Sequence, residues 1–210
     1  MHSIINTLRR RVLTASFAIV LTALIGCESN TPLTPLQSGS TILAFGDSLT
    51  FGKGVSREHS YPTVLAELSG RPVVNAGISG ETTAEGLRRL SSELNTHNPE
   101  LVILFEGGND VLRNLPAANT KANLNDMIEQ IQAFGADVAL VAVPERSLFS
   151  SAAPWYKELA DTHNLPVQDN IVASLLKKPS MKSDSVHFNQ AGYRALATAI
   201  HNMLQENHAY

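Results

Sequence analysis

The chain has 210 residues, 43% of them hydrophobic and 17% charged, and a net charge of -3 with histidine neutral. That is an ordinary globular composition, long enough for one well-buried domain, and the near-neutral charge without a basic stripe excludes a nucleic-acid binder held by phosphate contacts. One cysteine, Cys27, rules out an intrachain disulfide and a Cys-built metal site, and the seven histidines form no HExxH-type pair.

Residues 1–27 read as an address. Arg9, Arg10 and Arg11 precede an apolar stretch from about Val12 to Ile25, which ends at Leu24-Ile25-Gly26-Cys27. A basic region, a short apolar core and a small-residue cleavage site make a secretory signal, and the apolar run is marginal against the ~20 residues that a membrane-spanning helix needs. Leu-Ile-Gly-Cys resembles the lipobox of bacterial lipoproteins, which implies lipidation at Cys27. Residues 28–40 are dominated by Ser, Thr and Pro without apolar periodicity. They read as a tether that, at about 3.1 Å per residue, reaches roughly 40 Å from a bilayer. By the same resemblance, Glu28 after the cysteine implies a lipid-anchored protein of the bacterial envelope, in the outer membrane facing the periplasm.

From residue 41 to 210 short apolar runs alternate with amphipathic stretches. Strands are predicted at Ile42–Phe45, Val73–Asn75, Leu101–Phe105, Val138–Val143 and, weakly, at Pro166–Val167. Helices are predicted at Tyr61–Leu68, Thr83–Leu94, Asn123–Phe134, Trp155–His163 and Ala191–Leu204, several of them stopped by Gly70, Gly135 or a polar boundary. The near-continuous apolar run of Leu101–Phe105 is the pattern of a strand covered on both faces. Strand–helix alternation with short links favours an α/β fold, with a mostly parallel five-stranded sheet between two helical layers. Ligands bind such sheets at the carboxyl ends of the strands.

Four segments fall at that edge. Gly46-Asp47-Ser48-Leu49 follows the first strand and places Ser48 where a helix would begin, its free N–H groups facing a developing oxyanion. The same three residue types also serve as a plain turn and N-cap. Asn75 to Thr82 follows the second strand, with Gly77 and Gly80 permitting a tight loop with exposed amides, or simply a strand-to-helix connection capped by Ser79 or Thr82. Gly107-Gly108-Asn109-Asp110 follows the third strand; Asn109 is placed to aim its amide into the cleft, and Asp110 reads as a helix cap. Asp184-Ser185-Val186-His187 precedes the last helix. A histidine suits the task of taking a serine proton, and a carboxylate three residues earlier suits the task of orienting it, although a surface loop has the same composition.

Taken together, these blocks resemble those of the SGNH (GDSL-type) hydrolases over residues 41–205, and within them the bacterial arylesterase, thioesterase I and lysophospholipase group. The resemblance implies a flavodoxin-like SGNH fold and a serine esterase without cofactor or metal. It also implies Ser48 as nucleophile, Asp184 and His187 as its partners, and the N–H groups of Ser48 and Gly80 with the Asn109 amide as oxyanion donors. The implied substrate is a small acyl ester or lipid, the implied partner a membrane reached through Cys27, with no nucleic acid and no obligate protein partner. Two departures stand out. The family's last block usually has proline after the histidine, where this chain has Phe188, a bulky ring that is expected to narrow the site. Glu106 stands beside the Gly-Gly-Asn-Asp turn, facing either solvent or the pocket. Pro144–Trp155, with Leu148, Phe149 and Trp155, is the candidate pocket wall or lid, or else core packing. Alternatives are an O-acetylesterase acting on envelope glycans, a non-catalytic envelope lipoprotein and, from sheet order alone, a flavodoxin-like cofactor binder.

Overall fold

A computed structural model describes residues 33–145 and 151–210. Five parallel strands form the sheet: β1 (Ile42–Gly46), β2 (Val73–Gly77), β3 (Leu101–Phe105), β4 (Asp137–Val141) and β5 (Val167–Gln168), in the spatial order β2-β1-β3-β4-β5. Register is continuous across the centre, with Ile42 opposite both Val73 and Leu101. All residues of β1 and β3 are buried, the consequence of helices on both faces. On one face α2 (Tyr61–Ser69) packs against α8 (Gln190–Glu206); on the other α3 (Thr83–His97) packs against α5 (Ala117–Phe134), and α5 against α6 (Pro154–His163). Every strand and helix anticipated from periodicity is present, with shifted ends. The short helices α1 (Ser48–Phe51), α4 (Gly108–Leu112) and α7 (Ile171–Leu176) complete the set. Of these, α7 had no signal, because six residues are too few to display a 3.6-residue period.

The domain starts earlier than the composition suggested. Residues 33–40, assigned to the tether, pack onto the sheet's amino-terminal edge. Leu33 and Leu36 are buried, and their N–H groups donate to Asn207 and Ala209 carbonyls beyond α8, both at 2.8 Å. The Thr34 N–H donates to Asp137 Oδ2 at 2.7 Å, at the start of β4. The two leucines are spaced three apart in an otherwise polar segment, and burying each removes apolar area worth about 1.5–3 kcal/mol. That gain outweighs the freedom that a Ser/Thr/Pro composition alone implies. Residues 1–32, with Cys27 and the expected signal segment, lie outside the described residues.

Candidate active site

The sheet's carboxyl edge gathers the four segments. The Gly46–Ser48 turn is tight because a Cβ on Gly46 would lie 2.2 Å from the Phe105 carbonyl oxygen. Asp47 caps α1, its Oδ1 accepting the Leu49 N–H at 3.0 Å. Ser48 is thereby the first helical residue, and a first-turn N–H has no acceptor within its helix. Its hydroxyl lies 3.1 Å from His187 Nε2.

His187 stands in a turn of its own making. Asp184 Oδ1 accepts the N–H groups of Val186 and His187 at 2.9 and 2.8 Å, while Oδ2 lies 2.7 Å from His187 Nδ1. Partial burial pushes the Asp184 carboxyl up. The hydrogen bonds from the ring and the two N–H groups outweigh it and bring the carboxyl down to about 2. An ionised Asp184 holds a proton on Nδ1 and leaves Nε2 to accept from Ser48, the arrangement that general-base activation of a serine requires.

Phe188 corrects the expectation drawn from its size. The ring is fully buried and meets Tyr193 edge-on, with centroids 5.6 Å apart, so it fills the core behind the histidine and does not narrow the cleft.

The turn after β3 needs its glycines. Gly107 has φ +107°, and a Cβ there would lie 2.5 Å from the Tyr156 hydroxyl; one on Gly108 would lie 2.7 Å from Asp47 Oδ2. The close approach brings Asn109 Nδ2 to 2.8 Å from the Glu81 carbonyl oxygen and 3.3 Å from Asp47 Oδ2. Asn109 lines the cleft, but its amide is turned back onto the protein. Gly80 sits with φ +87° in the turn between β2 and α3, outside the lining of the cavity described below. Asp110 does cap a helix, though not the next one: it accepts the backbone N–H and hydroxyl of Thr83 at 2.9 and 2.6 Å, pinning the start of α3 from a distant segment. Thr82 and Glu85 add a capping box there.

Behind the cleft lies an acidic interior. Glu106 faces neither solvent nor the cavity: it is fully buried, with Oε2 accepting the Gly107 N–H at 3.2 Å and Oε1 unpartnered. Burial, then the charges of Asp47 and Glu81, push its carboxyl well above the ordinary range, which favours its neutral form. The same burial pushes Asp47 to about 6 despite the Leu49 N–H and the nearby His187. Glu81 is compensated by Arg89, whose Nε donates to Glu81 Oε1 at 2.7 Å. The roles of Glu81 and Arg89 have no signature in the sequence, because their meeting depends on how α3 lies under the β2 turn.

Beside Ser48 opens a small apolar depression. Leu49, Val111, Val143, Val172 and Leu176 line it, together with His187. Pro144 contributes from the candidate lid, and Ala153 N–H bonds back to the Val143 carbonyl at 3.0 Å. Trp155 is partly buried against the core. Leu148 and Phe149 lie outside the described residues. Among the described residues no group of three or more His, Cys, Asp or Glu side chains is placed to hold a metal.

A serine, a histidine and a carboxylate aligned at the carboxyl edge of a parallel sheet define a serine ester hydrolase. The chain belongs to the GDSL-like lipase/acylhydrolase family, whose pattern matches residues 44–195. It is 30% identical to the thioesterase 1/protease 1/lysophospholipase L1 of Escherichia coli K12 over 80% of this chain and 85% of the relative. It is 32% identical to an arylesterase of Vibrio mimicus, over 72% and 81%. Its fold matches the psychrotrophic esterase EstA of a Pseudoalteromonas species with a TM-score of 0.70 at 26% identity, covering 80% of this chain and 97% of that one. These esterase relatives favour neither the glycan O-acetylesterase nor the non-catalytic lipoprotein reading.

Proposed function

We propose that Ser48 is the acyl-accepting nucleophile of a hydrolase for apolar acyl esters and thioesters, with His187 as general base and Asp184 as its orienting carboxylate. The observation that carries this reading is the hydrogen-bonded line from Asp184 through His187 to Ser48, opening onto an apolar depression. Ser48 Oγ attacks the acyl carbonyl as His187 Nε2 takes its proton. The oxyanion is met by the N–H groups of Ser48 and Gly80 and by the Asn109 amide. The longer Asn109 contact, to Asp47, is the one that the oxyanion replaces. His187 then protonates the leaving alcohol or thiol, and water repeats the sequence on the acyl-serine.

The lining favours a hydrocarbon chain over a sugar. Lysophospholipids fit this reading, and the Escherichia coli relative carries that activity in its name. Hydrolysis of p-nitrophenyl acetate, butyrate and octanoate tests it. Butyrate and octanoate are expected to exceed acetate in kcat/KM, and Ser48→Ala to lose at least about 10⁴-fold in kcat. Retained activity in the variant removes Ser48 as nucleophile, and an acetyl-only profile points back to glycan deacetylation.

The envelope anchor is part of the same proposal. Residues 33–40 pack on the sheet's amino-terminal edge, a few residues after Cys27 in the chain. The cleft lies at the opposite edge, so an anchor on Cys27 turns the site away from the anchoring bilayer. Cys27→Ser is expected to move the protein from the detergent phase to the aqueous phase in Triton X-114 partition of whole cells; unchanged partition removes the lipid from the reading.

A further inference from the structure

Arg89 projects from α3 under the carboxyl ends of two strands. Its Nη2 donates to the Ala76 carbonyl of β2 at 2.8 Å and reaches the Gly46 carbonyl of β1 at 3.4 Å. Nε and Nη2 together grip the two oxygens of Glu81, and the guanidinium lies 4.0 Å from the centre of the Phe45 ring. The side chains of Arg89 and Glu81 are only 17% and 5% exposed, so the pair is shielded from competing water and ions. Glu81 faces two ways. Its carboxylate holds Arg89, and its backbone carbonyl accepts Asn109 Nδ2 at 2.8 Å. It also follows Gly80 directly, and Arg113 Nη2 steadies that glycine's carbonyl from the other side at 2.6 Å.

We propose that the Arg89–Glu81 pair positions the oxyanion-binding side of the site, holding the Gly80 turn and the Asn109 amide in register with the Ser48 turn. Two of the three donors are thus one peptide bond or one hydrogen bond from Glu81, and the third sits on the β1 turn whose Gly46 carbonyl Arg89 reaches. A donor must lie within about 2.7–3.1 Å of the developing charge, so a shift of the Glu81 peptide moves both donors out of range together. Arginine suits the position because its planar fork reaches a carboxylate and two carbonyls at once, which a lysine ammonium on a flexible stem does not. The proposal rests on Gly80 and Asn109 being donors.

The experiment compares Arg89→Met, Arg89→Lys, Glu81→Gln, the Glu81→Gln/Arg89→Met pair and Asn109→Ala with the unaltered full chain. Each is measured with p-nitrophenyl butyrate per titrated active site, with inhibition by an alkyl trifluoromethyl ketone as oxyanion mimic. Arg89→Met is expected to lower kcat about 10- to 100-fold with KM within about twofold, since a misplacement of about 1 Å costs on that order. Affinity for the mimic falls in parallel. Arg89→Lys recovers part of the loss, Glu81→Gln loses about tenfold, and the double variant is no worse than Arg89→Met, because both changes break one coupled unit. If Arg89→Met does not fold, the near-isosteric Glu81→Gln carries the test. Unchanged kcat per site and unchanged affinity for the mimic in Glu81→Gln overturn the proposal, as does a loss of titratable sites alone, which a purely structural pair would give. Asn109→Ala separates the two readings: unchanged kcat there defeats the donor assignment itself, whereas a loss there with Glu81→Gln and Arg89→Met unaffected defeats only the positioning role.

Discussion

Asp184 and His187 meet within one turn, three residues apart, with the Asp184 side chain half exposed; Glu81, Arg89 and Glu106 meet beneath the ends of three strands, where Asn109 joins them from the cleft wall. The first arrangement is assembled by short-range hydrogen bonds that the turn itself supplies, and water solvates its charge. The second depends on packing between segments, with Arg89 set against Glu81 and the Glu106 carboxyl pushed toward its neutral form by burial. The two halves of the proposed site are therefore expected to respond differently to damage. A lost partner on the exposed side is replaced by solvent, while a lost partner on the buried side leaves a group without one.

The largest expected effect that sharpens this contrast is on the buried side. Asn109→Ala is expected to lower kcat by about 10²–10³-fold, the loss typical of one oxyanion donor. Steady-state kinetics beside a thermal melt measure it, and a loss below about tenfold breaks the contrast from this side.

Asp184→Ala is expected to cost less, about 10- to 100-fold, because water reaches the vacated position; carboxylate changes in a buried triad cost about 10⁴-fold. A loss of that size here would mean that the exposed carboxylate acts as a buried one does. Asp184 also carries a pH signature. Its carboxyl is depressed to about 2, so its contribution to stability is present above the unfolded value of about 4 and disappears as pH falls through about 2. The Tm deficit of Asp184→Ala is therefore expected to be full at pH 5 and to shrink as pH falls toward 2, as calorimetry would read.

The smallest effect concerns Glu106. With its carboxyl raised, the unfolded chain ionises from about pH 4.3 upward while the folded protein holds its proton to higher pH, so stability falls as pH rises between the two. Glu106→Gln removes this loss, and its Tm relative to the unaltered protein is expected to climb with pH from about 4 upward, by on the order of 2–4 °C for each kcal/mol of the loss removed. Asp47, raised to about 6, contributes a slope in the same direction that both proteins share. A Tm difference that does not change with pH would place an ionised carboxylate at position 106 and erase the distinction between the two sides.

Much of the fold was legible because each long element carries its own period. The apolar runs of β1, β3 and β4 and the one-faced stripes of α3 and α5 announced a helix-covered parallel sheet, and the four polar blocks followed from their places after strands or before the last helix. The Asp184–His187 turn was legible for the same reason, since its partners are three residues apart. What the sequence alone could not decide were matters of long-range approach. The side to which Phe188 turns depends on the space beside Tyr193, and the packing of residues 33–40 depends on a groove formed by the chain after α8 and the start of β4. The Arg89–Glu81–Asn109 chain joins α3, the β2 turn and α4. A local pattern encodes which residues share a face of one element. Only the tertiary structure decides which faces and side chains meet, because that choice is made by the burial of apolar surface and the pairing of charges between segments far apart in the chain.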